Sequence, residues 1–275
     1  MKSGTFRKLF DLRGRSAIVT GGAGFLGKQF CAGLAEFGAN VAVVDIAGKE
    51  AKALAAGLSR DFGVKAVGIG CDISDAQSVR KMVKHAKESL GPITILHNNA
   101  AWKSSNPDKF FEPVGSYSLK TWREIMSVNV DGMFLTAQAV GNLMSAQGFG
   151  GSIVQTASVY GLMAPDQRIY ENSSYCGRPI NTPAVYTVSK SAVIGLTRHL
   201  ASLWAAEKIR VNTLTPGGVE SGQNKTFVKK YSNRVPLGRM AKADEMVGAL
   251  IYLASDASRY VTGQNLIVDG GLSVW

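Results

Sequence analysis

A tyrosine and a lysine stand four positions apart in the segment YTVSK, at Tyr186 and Lys190. The segment follows Pro183, a residue that fits the first turn of a helix, and a helix there places the two side chains on one face. A phenol beside an ammonium group can act as a general acid or base, because nearby positive charge favours the phenolate. A match to this spacing arises by chance about half a time in a chain of this length, so the pair alone indicates little.

Two further polar residues strengthen the pair. Ser158 comes directly after a strand-like run in IVQTASVYG, and Asn129 lies in the helical stretch before that strand. In open α/β sheets, ligands bind just beyond the carboxyl ends of the strands. A serine hydroxyl there can donate a hydrogen bond to an oxygen on which negative charge develops. The four residues are therefore the candidate catalytic set.

A glycine-rich turn forms a second candidate site. The segment TGGAGFLG, residues 20–27, joins a strand-like run to an amphipathic helical pattern, with Gly21, Gly24 and Gly27 three positions apart. Glycines there permit a sharp turn, a close approach of the backbone to a pyrophosphate and tight packing of helix on strand. The N-terminus of the helix adds free N–H groups and the positive end of its dipole. The sequence therefore predicts a dinucleotide-binding turn.

An acidic residue indicates which dinucleotide is preferred. Asp45 ends the second strand-like run and is followed by Ile46, with no arginine nearby. A carboxylate there accepts hydrogen bonds from the ribose hydroxyls and repels a 2′-phosphate, which favours NAD over NADP. The alternative is an acid that only caps a helix or lies in solvent at a strand end. Asp72 and Ile73 follow the third run and are candidates for the adenine edge, and Asn99 follows the fourth.

The hydrophobic pattern predicts the elements that position these residues. Short, nearly continuous apolar runs are typical of parallel strands buried on both faces. Their alternation with helices favours right-handed βαβ units in one doubly wound α/β sheet. The predicted strands are Ala17–Thr20, Val41–Asp45, Ala66–Cys71, Ile93–Asn98, Ser152–Ala157, Arg210–Leu214 and Gln264–Val268. The predicted helices are Phe25–Phe37, Lys49–Asp61, Asp75–Leu90, Leu119–Gln147, Pro183–Glu207 and Ala243–Ala254.

Two stretches lack periodicity, residues 101–118 and 162–182. Both follow predicted strands and are rich in Pro, Ser, Asn and aromatic residues, so we expect pocket walls, with ordinary surface loops as the alternative. No linker or repeat divides residues 1–275, which favours a single domain. The candidate substrate contacts in the second stretch are Arg168, Tyr170, Glu171, Tyr175 and Arg178.

Composition limits the class of protein. The chain has 275 residues, of which 45% are hydrophobic and 19% charged, so its core needs no disulfide or metal staples. Its three cysteines lie far apart and lack metal-ligand spacing. No apolar run approaches the roughly 20 residues of a membrane span, and no signal-peptide pattern is present. We therefore expect a cytoplasmic protein without a metal site, and not a secreted, membrane-spanning or disordered one.

The charge balance is strongly positive, at +11. Residues 225–242 contain six basic and no acidic side chains, and further excess occurs in residues 1–15 and in Arg80–Lys87. A basic stretch near a site favours an anionic substrate, whereas the alternative is a solvated helical face. No nucleic-acid-binding motif accompanies the charge, so no nucleic-acid partner is expected.

Taken in order, TGGAGFLG, Asp45, CDIS, NNAA, Asn129, Ser158, YTVSK, PGGVES and VTGQNLIVDGG resemble the short-chain dehydrogenase/reductase family over essentially the whole chain. The resemblance implies a Rossmann-type parallel sheet of seven strands with helices on both faces. It implies an NAD-dependent oxidoreductase that transfers a hydride between the nicotinamide and a secondary alcohol or ketone. A homotetramer or homodimer and a mobile lid, here residues 218–242, are also implied.

The resemblance also implies roles for the residues named. Tyr186 would be the proton donor or acceptor, Ser158 would steady the substrate oxygen, and Lys190 would hold the nicotinamide ribose. Asn129 would order a water leading to Lys190. As a base near neutral pH, Tyr186 needs a pKa some 2–3 units below its usual value of about 10, supplied by Lys190 and the oxidised nicotinamide. The whole predicted cofactor set is Gly21, Gly24, Phe25, Leu26, Gly27, Asp45, Ile46, Asp72, Ile73, Asn99, Tyr186, Lys190, Gly217, Val219 and Ser221.

Several features point to a subgroup. The glycine spacing, SVYGLMAPDQRIYE and PGGVESGQ followed by PLGRM resemble flagellin-modification and acidic-sugar dehydrogenases, and LFDLRGR resembles gluconate-type sugar dehydrogenases. A sugar, sugar acid or related anionic carbohydrate is the implied substrate. One alternative is a 3-oxoacyl-[acyl-carrier-protein] reductase, against which Asp45 argues because NADPH would be usual there. Another is a nucleotide-sensing or nucleic-acid-binding protein without turnover, which the intact catalytic set disfavours.

Overall fold

A parallel sheet runs through the centre of the molecule. The structure is a computed structural model that describes residues 6–104, 106–175 and 177–275. A small antiparallel hairpin, β6 with β7, lies outside the main sheet. The strands are β1 (Ser16–Thr20), β2 (Asn40–Asp45), β3 (Ala66–Gly70), β4 (Ile95–Asn98), β5 (Gly151–Thr156), β6 (Ser174–Tyr175), β7 (Arg178–Pro179), β8 (Ile209–Pro216) and β9 (Asn265–Val268).

The main sheet has seven strands in the order β3-β2-β1-β4-β5-β8-β9. Every pairing in it is parallel, and β1 pairs with β2 on one side and with β4 on the other, so that Ala17 lies between Val41 and Ile95. The chain therefore reverses its direction of winding between β1 and β4, which opens a crevice at their carboxyl ends. The predicted doubly wound, Rossmann-type α/β sheet of seven strands is confirmed.

Helices cover both faces of the sheet. Side chains of α1, α2 and α9 form one core with the sheet, and side chains of α3, α6 and α7 form the other. The helices are α1 (Phe25–Glu36), α2 (Gly48–Phe62), α3 (Ala76–Leu90), α4 (Pro107–Phe110), α5 (Leu119–Met126), α6 (Met133–Gln147), α7 (Ala184–Leu203), α8 (Lys225–Ser232) and α9 (Val247–Ala254).

Strand β2 shows why continuous apolar runs form this sheet. Its side chains alternate between the two faces, so Val41 and Val43 pack into the core with α1 and α2. Ala42 and Val44 point the other way into the core with α3 and α6. All four are fully buried. Because helices cover both faces of the strand, no side chain faces solvent, and apolar residues do not alternate with polar ones.

The structure departs from the predicted elements at several places. The predicted helix 119–147 contains a π-helical segment, Ser127–Gly132, between α5 and α6. The helix predicted to reach residue 207 ends at Leu203. Two helices, α4 and α8, lie where only loops or a lid were expected, because each is too short to show a clear period.

The structure can be compared with the sequence-based expectations about membrane spans and about the cysteines. No helix in the described residues is long and apolar enough to span a membrane. Cys31 and Cys71 are buried free thiols, and Cys176 lies outside the described residues.

A histidine is fully buried in β4. The Nε2 atom of His97 lies 2.9 Å from the Oγ1 atom of Thr156, and its ring packs edge-on against Phe30 with 4.3 Å between the ring centroids. Its Nδ1 atom has no hydrogen-bond partner in the described part of the chain. Burial lowers the pKa of His97 to about 3, so the ring is neutral in the folded protein.

This histidine should destabilise the fold in acid. The ordinary pKa is 6.5, so between pH 7 and 5 the unfolded chain binds a proton at His97 that the folded chain cannot bind. Stability is therefore lost as the pH falls. We expect wild type to lose about 2 kcal/mol more unfolding free energy than His97→Gln over this interval, measured by urea denaturation. The same pH dependence in both proteins would contradict the assignment.

Candidate active site

One pocket lies along the carboxyl ends of the central strands. Its volume is about 960 Å³, in the range of small-molecule and cofactor sites. Its walls include the glycine-rich turn after β1, the ends of β2, β4, β5 and β8, and the first turns of α7. Parts of the 101–118 and 162–182 stretches also line it, as does one face of α8. The topology thus brings segments distant in sequence to one cavity.

The pocket collects most of the predicted site residues. All fifteen of the predicted cofactor set line it, and Ser158 lies there with Tyr186 and Lys190. Asn129 is fully buried and does not line the pocket.

The glycine-rich turn has the shape that a dinucleotide requires. Gly21 has a φ of +62°, and a Cβ atom on Gly27 would lie 2.0 Å from the carbonyl oxygen of Gly21. Side chains at either position would therefore break the turn. Gly24 is the N-cap residue of α1, and no side chain caps the first N–H groups of that helix. The turn and the uncapped helix N-terminus fit a pyrophosphate.

Asp45 holds the turn against β2. Its two carboxylate oxygens accept hydrogen bonds from the backbone N–H groups of Ala23 and Ala47, each at 3.0 Å. The carboxylate has a structural role and also faces the pocket. Ile46 beside it is 71% exposed, and the only basic residues among the described lining are Lys103 and Lys190.

Side-chain hydrogen bonds connect the end of β1 with the segment that follows β4. The Oγ1 atom of Thr20 accepts from the backbone N–H groups of Asn99 and Ala100, at 2.9 and 3.1 Å. The amide of Asn99 donates to the carbonyl oxygens of Thr20 and Gly21, at 3.2 and 3.4 Å. Asn99 therefore fixes the glycine-rich turn through its side chain, in addition to lining the pocket.

The ammonium group of Lys190 lies inside the protein beside the phenol of Tyr186. Its Nζ atom donates to the carbonyl oxygen of Thr156 at 3.0 Å and lies 5.9 Å from the centroid of the Tyr186 ring. Burial lowers the pKa of Lys190 to about 8, and the positive charge of Lys103 adds to this. Because that value lies above neutral pH, Lys190 remains mostly charged there.

The pKa of Tyr186 shifts in the direction opposite to the one expected. Burial raises the pKa of the phenol, the charge of Tyr170 adds to the rise, and a hydrogen bond with Ser158 opposes it. Loss of hydration at the buried phenolate is therefore the leading influence on this pKa in the protein by itself. The phenol therefore carries its proton at neutral pH.

Asn129 makes a different contact from the one the sequence suggested. Its Oδ1 atom accepts from the backbone N–H of Trp102 at 2.7 Å, and its Nδ2 atom donates to the carbonyl oxygen of Trp102 at 3.3 Å. Both ends of the amide thus hold the start of the 101–118 stretch. Asn129 lies within the π-helical segment, a feature often found at functional sites.

Two of the predicted substrate contacts lie outside the pocket. Arg168 and Arg178 do not line the pocket, because their guanidinium groups pair at the surface with Asp166 and Asp108. Tyr170 and Tyr175 do line the pocket, whereas Glu171 does not. Aromatic residues of the 162–182 stretch face inward and its charged residues face outward.

The basic stretch 225–242 also presents its charges away from the pocket. Lys230 and Arg234 lie near Glu171 and Asp166 of the 162–182 stretch, and Arg239 pairs with Glu245. The residues of this stretch that line the pocket are Phe227, Tyr231 and Met240.

Sequence reasoning missed several residues of the pocket wall. Trp102 and Lys103 lie in a stretch without periodicity, and Tyr160 and Thr182 lie beside predicted residues without a motif of their own. Tyr231 accepts a hydrogen bond from the backbone N–H of Gly218 at 2.6 Å. The only signal for Tyr231 was its place in a stretch expected to cover the site.

The fold and the site agree with one protein family. A sequence profile of the family described as enoyl-(acyl carrier protein) reductase matches residues 23–273. The crystal structure of a short-chain type dehydrogenase/reductase from Mycobacterium marinum superposes with a TM-score of 0.85 at 33% identity, covering 98% of this chain and 99% of that chain. The chain belongs to the short-chain dehydrogenase/reductase family. It is therefore an oxidoreductase of a nicotinamide-dependent family.

Similar proteins of named activity match nearly the whole chain. D-threitol dehydrogenase of Mycolicibacterium smegmatis is 34% identical over 273 residues, 96% of this chain and 95% of that protein. Gluconate 5-dehydrogenase of Gluconobacter oxydans is 34% identical over 274 residues, 97% of each protein.

Solved structures of the family carry either nicotinamide cofactor. A gluconate 5-dehydrogenase from Burkholderia cenocepacia, in complex with NADP and tartrate, has a TM-score of 0.85 and 34% identity, covering 98% of both chains. A short-chain dehydrogenase from Leptospira borgpetersenii with bound NAD+ has a TM-score of 0.84 and 29% identity, covering 99% of this chain and 97% of that chain.

The contact of Tyr231 with Gly218 gives a testable consequence for stability. Tyr231→Phe removes the acceptor of the Gly218 N–H group, and we expect a loss of about 1 kcal/mol in unfolding free energy, measured by urea denaturation. Tyr260→Phe is the matched control, because Tyr260 is fully exposed and its hydroxyl should contribute nothing. Equal stability of the two variants would show that this hydrogen bond does not stabilise the segment around Gly218.

Proposed function

We propose that the protein is an NAD-dependent dehydrogenase that interconverts a secondary alcohol and a ketone on a sugar, sugar alcohol or sugar acid. The observation that carries the proposal is the meeting of Tyr186, Ser158 and Lys190 in the pocket that also contains the glycine-rich turn. A proton-transferring phenol and a dinucleotide-shaped turn in one cavity fit hydride transfer coupled to proton transfer.

The protein's own residues manage the proton. In ketone reduction, Tyr186 donates its phenolic proton to the carbonyl oxygen. Its raised pKa keeps the phenol protonated before the substrate binds. Ser158 donates a hydrogen bond to the same oxygen as negative charge develops there. The Lys190 ammonium stabilises the phenolate left behind. When bound, the nicotinamide cofactor supplies or accepts the hydride.

Other residues hold and orient the cofactor. The glycine-rich turn and the N-terminus of α1 would receive the pyrophosphate, and Asp45 would receive the adenosine ribose. Lys190 would reach the nicotinamide ribose, with Gly217, Val219 and Ser221 beside the nicotinamide. In this proposal, Asn129 positions the wall at Trp102 and orders a water near Lys190.

The substrate class is supported by the pocket and by the relatives. Tyr170, Asn181 and Thr182 line the same cavity as Tyr186, and the hydroxyl groups of Tyr170 and Thr182 share a hydrogen bond. Hydroxyl and amide side chains of this kind can exchange hydrogen bonds with a polyol. The relatives above are named for a sugar alcohol and a sugar acid.

NAD is the proposed cofactor because Asp45 faces the pocket with no described basic side chain beside it. A 2′-phosphate there would meet a carboxylate without a counter-charge. We also propose a homodimer or homotetramer in the cytoplasm, on the basis of the family resemblance.

The role of Tyr186 can be tested by removing one oxygen atom. Tyr186→Phe should lower kcat at least about 100-fold, because it removes the proton donor, and should leave NADH affinity unchanged in fluorescence titration. Tyr252→Phe on α9, on the other face of the sheet, should retain full activity. Retained turnover in Tyr186→Phe would remove Tyr186 from its role. NADH binding by wild type without turnover of any sugar, polyol or sugar acid would favour a nucleotide sensor.

Cofactor choice can be tested at Asp45. Wild type should use NAD+ at least about tenfold more efficiently than NADP+, measured as kcat/KM. Asp45→Ser should reduce that preference at least about tenfold, because the repulsion of the 2′-phosphate is gone. Asp61→Ser, at the exposed end of α2, is the control and should leave the preference unchanged. A wild-type preference for NADP+ would overturn the argument.

A further inference from the structure

We propose that Lys103 receives the carboxylate of an anionic sugar-acid substrate whose reacting hydroxyl or carbonyl lies at Tyr186 and Ser158. The inference rests on the proposed function. It adds that the substrate carries a negative charge and that Lys103 binds the charged group. It moves the anion site from the basic stretch 225–242 to the 101–118 stretch.

Lys103 differs from the other charged residues of the pocket. Asp45 and Asp72 are the acidic residues in the described lining, and both accept hydrogen bonds from nearby groups at the nucleotide end. Lys190 uses its ammonium group on the carbonyl oxygen of Thr156. Lys103 forms no hydrogen bond or ion pair with any described residue. It is a cation in the pocket whose partner the described part of the protein does not supply.

The position of Lys103 suits a substrate contact. Lys103 lines the same cavity as Tyr186 and Lys190, and its positive charge contributes to the lowered pKa of Lys190. Lys103 is exposed as a residue, yet neighbouring groups desolvate its ammonium and lower its pKa. An ammonium group that has lost part of its hydration gains more from an anion than a fully solvated one does.

The backbone around Lys103 is held in place. The preceding residue, Trp102, is bound at both its N–H and its carbonyl by the buried amide of Asn129. The following residue, Ser104, has a φ of 75°, a left-handed conformation that few residues other than glycine adopt. Such strain is found at ligand-binding positions, where the surrounding structure maintains it. Asn129 thus acts on the substrate end of the pocket as a positioning residue.

The basic stretch 225–242 is the competing candidate. Lys230 and Arg239 lie beside acidic partners, and Arg234 lies beside Asp166 with its Nη1 atom buried. None of the three lines the pocket. Lys225 and Lys229 are exposed on α8 and do not line the pocket. An anion inside the cavity would therefore meet Lys103 before it met any basic side chain of this stretch.

The lining of the pocket indicates which groups of the expected substrate could be bound. A compact polyhydroxy carboxylate can place its carboxylate on Lys103 while a hydroxyl along its chain reaches Tyr186 and Ser158. Its remaining hydroxyls can contact Tyr170, Asn181 and Thr182. A neutral alditol of the same length can make all these contacts except the one to Lys103.

The test compares matched acids and alcohols. Initial rates with NAD+ are measured for D-gluconate and D-galactonate and for their neutral counterparts D-glucitol and galactitol. The proteins are wild type, Lys103→Met, Lys103→Arg and the control Lys229→Met. Binding of the same four compounds to the NADH-loaded proteins is measured separately by calorimetry. This second readout does not depend on turnover.

We expect wild type to prefer the acids. Lys103→Met should lower the ratio of kcat/KM for acid over alditol at least about tenfold, mainly through KM for the acid. Lys103→Arg should keep most of the ratio because it keeps the charge, and Lys229→Met should behave as wild type. Raised salt should weaken binding of the acids more than that of the alditols.

Other outcomes separate this inference from the proposed function. Equal or better use of the alditols by wild type overturns the inference and leaves the dehydrogenase intact. An equal loss on acids and alditols in Lys103→Met, or a loss of the acid preference in Lys229→Met, also overturns it. If no compound is turned over but the acids bind and Lys103→Met abolishes that binding, the proposed function fails and the Lys103 site stands. If no acid binds, the Lys103 site fails.

Discussion

The pairing of β1 with β4 is the constraint on which the pocket depends. Thr20 at the end of β1 and Asn99 after β4 exchange backbone and side-chain hydrogen bonds, and these bonds fix the glycine-rich turn relative to the NNAA segment. Because the chain changes its direction of winding at this junction, loops from both halves of the sheet diverge there. Without the pairing, the turn, Asp45 and the catalytic helix α7 would have no common frame.

Burial, more than ion pairing, sets the pKa values of Tyr186 and Lys190 in the pocket. Burial favours the protonated phenol of Tyr186 and the neutral amine of Lys190, and it is the leading cause of both pKa shifts. The two shifts run in opposite directions and separate the two pKa values, since the ordinary values of 10.0 and 10.5 lie close together. Positive charge arriving at the pocket would favour the phenolate and so lower the pKa of Tyr186 again.

Much of the fold and the core of the site could be predicted, for identifiable reasons. Strands such as β2 are buried on both faces, so their apolar runs are continuous and easily recognised. The glycines of the turn are required by backbone geometry, and Tyr186 and Lys190 keep a local helical spacing. The side-chain partner of Asn129 and the direction of the Tyr186 pKa shift could not be predicted, because both depend on packing from segments distant in sequence.

The sequence by itself determined the doubly wound sheet and the family, because both follow from local pattern and spacing, and it predicted the candidate catalytic set. Only the tertiary structure decided where the positive charge lies. The six basic side chains of residues 225–242 formed the conspicuous pattern, yet packing against the 162–182 stretch turns the phenol and apolar side chains of this segment inward. Lys103 carries no pattern, but the fold places it in the cavity, since a side chain's direction depends on which other segments pack against its backbone.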